Sequence, residues 1–301
     1  MYRYLVNSST SNVAFNALGK VSLRLKKYAP DCVDLRESAY TPLEAAFYSP
    51  ASKFLINVDL EKCLGLHAAA FICTSTSPHP FIQTLRAYAA GKCHDYVHSS
   101  LFEFYGSFQP RSAAEVVGLS YNSGHSAISH LPAFASALPW EPLTPEENET
   151  FLRGICERDY IDNGFTLDAA AGWKGWGPLS HEAGEAEFNR LVRVFKAIGT
   201  NGYQRHSALD GDIEGQVLKH DDDYKVFVSR GQHRIAALAA MDQTRAPIRV
   251  LPQAVSRSDA AVWPNVVRGY YTVEQAQSVF DRIFDGRQPN EAASAPAKQS
   301  A

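Results

Sequence analysis

Residues 225–241 read KVFVSRGQHRIAALAAM, and the pattern of this stretch changes at Gly231. The part before Gly231 is rich in aromatic and β-branched residues, which is typical of a buried strand. The part after it, RIAALAAM, consists of strong helix formers with one apolar face. Glycine permits a sharp reversal and a close backbone approach. The stretch therefore predicts a strand, a tight turn at Gly231 and a helix.

The first residues of this predicted helix form a candidate phosphate site. Unpaired N–H groups and the helix dipole favour an anion at a helix N-terminus. Gly231, Gln232, His233 and Arg234 fall there, and three of them carry hydrogen-bonding side chains. An ordinary strand–turn–helix with polar caps has the same local pattern, and the local residues leave both interpretations open.

The flanking sequence extends the pattern on both sides. Residues 184–203 have apolar residues at helical spacing that stops at Gly199 and Gly202. The segments IEGQVL (213–218) and YKVFVS (224–229) are strand-like and are joined by the polar turn KHDDD (219–223), which predicts a hairpin. A further apolar strand is predicted over residues 246–252.

This order of helix, glycine turn, strand, turn, strand, G-x-H-R and helix resembles the ParB/sulfiredoxin-like superfamily. The resemblance covers residues 175–252, and GQHRIAAL is its most specific part. It implies an α+β fold with a small mixed sheet and helices, preceded by an N-terminal α/β region. It also implies that Gly231, Gln232, His233 and Arg234 hold the phosphates of ATP or another nucleoside triphosphate.

The chain departs from this superfamily at two positions of the motif. Sulfiredoxins have a cysteine where this chain has Gln232, so their sulfinic-acid chemistry is excluded. The small-molecule kinases of the superfamily have an acidic residue before the glycine, whereas this chain has Arg230. The helix-turn-helix of partition proteins has no convincing counterpart here.

Two acidic segments supply candidate catalytic and metal-binding residues. In the resembled kinases, a glutamate of the segment before the helix acts as the base, and Glu182 is the residue carried over. Asp210 and Asp212 lie in ALDGDIEG (208–215), and hard oxygen ligands beside a phosphate site suit magnesium. Asp212 is also a candidate catalytic acid. Asp-Gly-Asp is equally a common turn.

Alternatives remain for the neighbouring residues. Glu185 and Glu187 have a simpler interpretation as negative charge at the start of a helix. Tyr203 and His206 are predicted to bind substrate. Arg205 lies between them in the sequence, at the start of the same loop, and could also face the phosphate site.

Composition limits the class of protein. The chain has 301 residues, and 45% of them are hydrophobic, which is typical of a globular protein. Its net charge of −3 disfavours nucleic acid as a partner. Its five cysteines are widely spaced and form no C-x-x-C pair, which suits a reducing cytoplasm. No signal peptide or apolar run long enough to span a bilayer is visible, so a soluble cytoplasmic protein is expected.

The sequence divides into three predicted regions. Residues 1–150 form a mixed α/β region, residues 151–287 the ParB/sulfiredoxin-like domain with its C-terminal helix, and residues 288–301 a disordered Ala/Pro/Ser tail. The proline-rich segment 131–150 acts as the connector. The alternative is that the first region wraps onto the second.

These features predict an ATP-dependent kinase or phosphotransferase with magnesium, acting on a hydroxyl of a small molecule or sugar. The whole-chain pattern resembles uncharacterised proteins of bacterial surface-polysaccharide synthesis, which implies a sugar acceptor. The alternative is a non-catalytic, ParB-like nucleotide-binding regulatory or adaptor protein, which Arg230 in place of an acid supports.

Overall fold

The fold is built around one mixed sheet. A computed structural model of the chain describes residues 32–48, 52–119, 127–166, 172–205 and 211–289. Within them, the strands are β1 (Cys32–Asp34), β2 (Lys53–Asp59), β3 (Cys63–Gly65), β4 (Phe71–Ile72), β5 (Ile213–His220), β6 (Asp223–Arg230), β7 (Arg245–Val250) and β8 (Val255–Ser256).

The sheet interleaves strands from both halves of the chain. Its order is β1-β2-β7-β5-β6-β3-β4, and β8 pairs with β5 beyond the end of β7. The pairs β1/β2, β3/β6, β5/β7 and β5/β8 are parallel, whereas β2/β7, β3/β4 and β5/β6 are antiparallel. The C-terminal strands thus occupy the centre, and N-terminal strands flank them on either side.

The helices of the described residues are α1 (Pro42–Tyr48), α2 (Pro80–Ala89), α3 (Ser100–Ser107), α4 (Ala113–Val116), α5 (Pro145–Asp162), α6 (His181–Asn201), α7 (Gln232–Ala240), α8 (Pro264–Val267) and α9 (Val273–Phe284). Helix α7 is the central one, because α2 and α6 pack against it and it packs against β3 and β5. All nine of its residues are buried. No helix in the described ranges has the length and apolar character needed to cross a bilayer.

The hairpin, turn, helix and returning strand predicted from residue 213 onwards are confirmed. Strands β5 and β6 pair from Glu214–Arg230 to His220–Asp223, and Asp221 in the two-residue loop takes a left-handed conformation with φ 50°. Aspartate tolerates this conformation better than most residues, because its short side chain bonds locally. The β7 strand begins one residue before the predicted segment and ends two residues before its end.

Helix α6 begins earlier than predicted. Residues 172–187 contain four glycines, which predicts a loop, but the Ser180 hydroxyl accepts a hydrogen bond from the Ala183 N–H at 3.2 Å and starts the helix there. Gly184 lies inside the helix because the Tyr96 ring packs against it; a Cβ at this position would lie 2.0 Å from the tyrosine Cζ.

The predicted domain boundary at residue 150 lies inside α5. Strands from both predicted regions belong to the same sheet, with Phe54 to Asp59 of β2 paired to Val250 to Arg245 of β7. The structure is therefore a mixed α/β fold with one mixed sheet. Most of the predicted tail, residues 290–301, lies outside the described residues.

Candidate anion-binding site

The turn at Gly231 lies tightly against the start of β5. Gly231 has φ 83°, which is a left-handed conformation, and a Cβ there would lie 3.0 Å from the Ile213 Cα. Only glycine meets both the conformation and the close approach without strain. The turn is thus fixed beside the first residues of β5, next to Asp212.

The side-chain amide of Gln232 forms hydrogen bonds with backbone groups inside the protein. It is buried, its Oε1 accepts a hydrogen bond from the Leu66 N–H at 2.9 Å, and its Nε2 donates to the Val228 carbonyl at 2.7 Å. Gln232 therefore ties the start of α7 to β6 and to the turn that follows β3. The predicted phosphate contact from this side chain would require these two bonds to break.

His233 forms a buried pair with Glu187 of α6. The His233 Nε2 and the Glu187 Oε1 lie 2.7 Å apart, and the imidazole also packs against the Phe81 ring at a centroid distance of 5.2 Å. Burial by itself raises the pKa of Glu187, but the charge and hydrogen bond of His233, with Lys174 and Arg190 nearby, lower it to about 2. The carboxylate is therefore charged at neutral pH.

Arg234 is buried beside Tyr203. Only 4% of Arg234 is exposed. Burial raises the pKa of Tyr203, and the charge and hydrogen bond of Arg234 act against that rise. The Tyr203 hydroxyl also accepts a hydrogen bond from the Ile213 N–H at 3.4 Å. Tyr203 thus joins the Arg234 side chain to the start of β5.

Asp212 is held by arginines. Its two oxygens accept a bidentate pair of hydrogen bonds from Arg205, from Nε at 2.9 Å and from Nη2 at 3.1 Å. The Arg249 Nη1 lies 3.8 Å from the Asp212 Oδ2. Bidentate arginine–carboxylate pairs are among the strongest hydrogen-bonded pairs in proteins. Both oxygens of Asp212 are thus occupied.

Glu214 lies at the centre of a charged row across the sheet. It pairs in register with Arg230 of β6 and with Arg249 of β7. The Arg249 Nη2 donates a hydrogen bond to the Glu214 Oε1, and the Lys53 Nζ lies 3.7 Å from the Glu214 Oε2. The Arg249 Nε is buried and has no hydrogen-bond partner in the described part of the chain.

These residues form one positively charged end of the sheet, which we call the Gly231 site. The site is defined by the glycine turn and by seven charged side chains: Lys53, Arg205, Asp212, Glu214, Arg230, Arg234 and Arg249. Five of the seven are basic and two are acidic, whereas the whole chain has a net charge of −3. The site can therefore attract an anion although the protein as a whole is acidic.

Glu182 is not the residue through which α6 contacts the motif. It is exposed in the first turn of α6, where a hydrogen bond from its own backbone N–H and one involving the Ser180 hydroxyl lower its pKa. Glu187, five residues further along, is the α6 acid that contacts the motif. The predicted site residues Asp210 and His206 lie outside the described residues.

Of the two predicted magnesium ligands, Asp210 lies outside the described residues. Asp212 is the one predicted ligand among them, and both of its oxygens accept hydrogen bonds from Arg205. In the described ranges, no group of three or more histidine, cysteine, aspartate or glutamate side chains is placed to hold a metal ion. Magnesium prefers carboxylates that are not already paired with cations.

Sequence reasoning missed two members of the site, Lys53 and Arg249, and also the contact of Glu187 with the motif. Glu187 was interpreted as helix-start charge, while Lys53 and Arg249 were not singled out. An isolated arginine in the apolar strand IRVL was the available signal for Arg249, since a charge in a buried strand needs a partner. Lys53 carried no such signal, because it comes from a distant part of the chain.

The chain matches no known family model, no curated protein and no solved structure. The resemblance to the ParB/sulfiredoxin-like superfamily stays a prediction.

Proposed function

We propose that the protein binds a nucleotide, with the phosphates at the Gly231 site and without catalysing their transfer. The observation that carries the proposal is the convergence of Lys53, Arg205, Arg230, Arg234 and Arg249 on one end of the sheet, where the described acids Asp34, Asp212 and Glu214 are outnumbered. A triphosphate supplies the negative charge that such an excess of cations favours. The superfamily resemblance of GQHRIAAL supports a nucleotide rather than another anion.

Within the site, Arg230 and Arg249 are the side chains best placed to meet phosphate. Arg230 is exposed, and the Arg249 side chain is 26% exposed, with its Nη groups also facing Asp212 and Glu214. Gln232 and His233 have a different role. The bond of Gln232 with Leu66 and that of His233 with Glu187 hold the start of α7 in place. They position the turn instead of contacting the ligand.

Phosphoryl transfer to a hydroxyl stays the alternative. It requires an acid within hydrogen-bond reach of the acceptor. Asp212 is engaged by Arg205, and Glu182 is exposed in the first turn of α6. The non-catalytic function is favoured because Asp212 is engaged by Arg205 and because Glu187, not Glu182, is the α6 acid that contacts the motif.

Equilibrium dialysis with labelled ATP tests the proposal. Arg249→Gln should weaken binding by about 10- to 150-fold, since a hydrogen bond to a charged group is worth about 1.5–3 kcal/mol. Arg230→Gln should weaken it less, because that side chain is exposed. Arg245→Gln is the matched control, because Arg245 lies at the other end of β7 and pairs with Asp59. Thermal melting confirms that each variant is folded.

Cysteine alkylation gives a second readout of the same site. Cys32 is partly exposed, whereas the other four cysteines are buried. Burial raises the pKa of the Cys32 thiol, and the charges of Arg249 and Arg205 act against that rise. A bound nucleotide should slow alkylation of Cys32 at alkaline pH.

The outcomes separate the candidates. Binding that is equal in wild type and Arg249→Gln, or absent in wild type, refutes the site. Transfer of labelled phosphate from bound ATP to a small hydroxylated acceptor establishes the phosphotransferase in place of the regulatory function. Binding without transfer supports the proposal.

A further inference from the structure

A second, separate opening lies at Phe227 of β6. It is a cavity of about 70 Å³ whose wall includes His67, Glu141, Asn148, Trp173, Trp176 and Phe227. None of the residues that line it belongs to the Gly231 site. Among the described residues, its lining includes the acid Glu141 and no lysine or arginine, which does not favour an anion.

One wall of the cavity is a turn held in an uncommon conformation. Leu66, His67 and Ala70 have φ values of 57°, 50° and 55°, which are rare for residues other than glycine. Gln232 accepts a hydrogen bond from the Leu66 N–H, and the Arg282 Nη2 donates one to the Ala68 carbonyl at 2.7 Å. Such conformations persist only where the surroundings hold them, and they concentrate at ligand sites.

This turn places the His67 ring against Trp173. The two rings are stacked at a centroid distance of 5.5 Å. Burial, together with the charge of Lys174, lowers the pKa of His67 to about 4, so the imidazole is neutral at neutral pH. The stacked pair thus gives the cavity an uncharged aromatic side.

Two polar groups in the wall have unused hydrogen-bonding capacity. Trp173 is only 7% exposed, and its indole Nε1 has no hydrogen-bond partner in the described part of the chain. The Glu141 Oε2 accepts a bond from the Leu138 N–H at 2.8 Å, and burial raises the pKa of this carboxyl to about 7. Buried donors without a partner are rare, and each calls for an explanation such as a bound ligand or water.

The chemistry of these groups selects the ligand. The indole N–H requires an acceptor, whereas Glu141 requires a donor in its ionised form, which predominates above about pH 7. A hydroxyl group supplies both, while an alkylammonium ion supplies no acceptor. One water needs about 10–15 Å³ of such space, so the cavity has room for about five to seven non-hydrogen atoms.

We propose that this cavity binds a small neutral polyol, with one hydroxyl accepting from the Trp173 Nε1 and donating to Glu141. The carbon skeleton would lie against the rings of His67, Trp173 and Phe227. This site does not rest on nucleotide binding at the Gly231 site, since the two share no residue.

Saturation-transfer NMR on the full chain, with ethylene glycol, glycerol and xylitol as probes, tests the proposal. Affinity should be highest for glycerol, because its size matches the cavity. Trp173→Phe removes the N–H and keeps an aromatic ring, and it should weaken glycerol binding about fivefold, the worth of one neutral hydrogen bond. Trp263→Phe is the matched control, because Trp263 is also buried but packs against Trp140 and Phe280.

A second variant tests the same cavity in case Trp173→Phe does not fold. Val116→Ile adds one methyl to an apolar part of the cavity wall and leaves the polar groups intact, so it should also weaken glycerol binding. Melting curves establish that both variants are folded. Equal affinity of wild type, Trp173→Phe and Val116→Ile for glycerol overturns the proposal. If no polyol shows saturation transfer, the proposal is also overturned, and water is then the occupant of the cavity. Tighter binding of propylammonium, which has no hydroxyl, than of glycerol overturns the hydroxyl assignment.

Discussion

Replacing Glu187 by glutamine removes the charge from the buried pair with His233 while keeping the size of the side chain. Glu187 is 6% exposed, and its Oε1 lies 2.7 Å from the His233 Nε2. The pair joins α6 to the first turn of α7. We expect the substitution to destabilise the fold, because a buried charged group loses its partner.

The pKa of Glu187 gives the magnitude and the pH range. Burial raises this pKa, but His233, Lys174 and Arg190 lower it from 4.5 to about 2. Each pKa unit is worth about 1.4 kcal/mol, so the ionised carboxylate contributes about 3 kcal/mol to the free energy of unfolding. Because the folded-state pKa is the lower one, this contribution is complete above about pH 4.5 and is lost as the pH falls to about 2.

Urea unfolding of wild type and Glu187→Gln over a series of pH values measures this contribution. Glu187→Gln should be less stable by about 3 kcal/mol at neutral pH, and the difference should shrink below about pH 4.5. Glu185→Gln is the matched control, because Glu185 is exposed on the same helix; surface substitutions of this kind change stability by about 0.5 kcal/mol or less. A difference that stays constant from neutral to acid pH would refute the reasoning.

Three further substitutions test how the turn and its surroundings are held. Gly231→Ala should cost roughly 1–2 kcal/mol for the left-handed conformation, plus the contact with Ile213, and an unchanged melting temperature would contradict this. Gln232→Leu should cost about 1–3 kcal/mol in urea unfolding, since the Leu66 N–H is left buried without an acceptor; a neutral effect would show that water replaces the amide. Asn265→Leu should destabilise by about 1–3 kcal/mol or more, because the Asn265 amide donates to three backbone carbonyls, and wild-type stability would exclude that role.

The local part of the fold was predictable from the sequence. Strands β5 and β6, the turn at Gly231 and helix α7 were all expected from the change of period at the glycine, which depends only on neighbouring residues. The segment that forms β2 was also recognisable as strand-like. Its pairing with β7 was not predictable, because the register depends on residues nearly two hundred positions away.

The sequence predicted that Asp212 and Tyr203 lie near the Gly231 turn, but it did not predict the contacts of the motif side chains. Sequence reasoning expected Gln232 and His233 to face a ligand, whereas the structure gives them protein partners, Leu66 and Val228 for Gln232 and Glu187 for His233. A polar residue at a helix start looks the same in a sequence whether it binds a ligand or a neighbouring element. The basic residues Lys53 and Arg249 join the site only because β2, β7 and β5 are neighbours in the sheet.

The interleaved strand order also bears on how the chain folds during its synthesis. Val58 of β2 pairs with Ala246 of β7, 188 positions later in the chain (246 minus 58). A ribosome adds about 5–20 residues per second, so β2 waits roughly 10–40 s for its partner. Phe54, Leu55 and Ile56, which are almost fully buried in the finished sheet, lack that strand during this interval. We expect the nascent chain to depend on chaperones, since an unpaired apolar strand pairs readily with other chains.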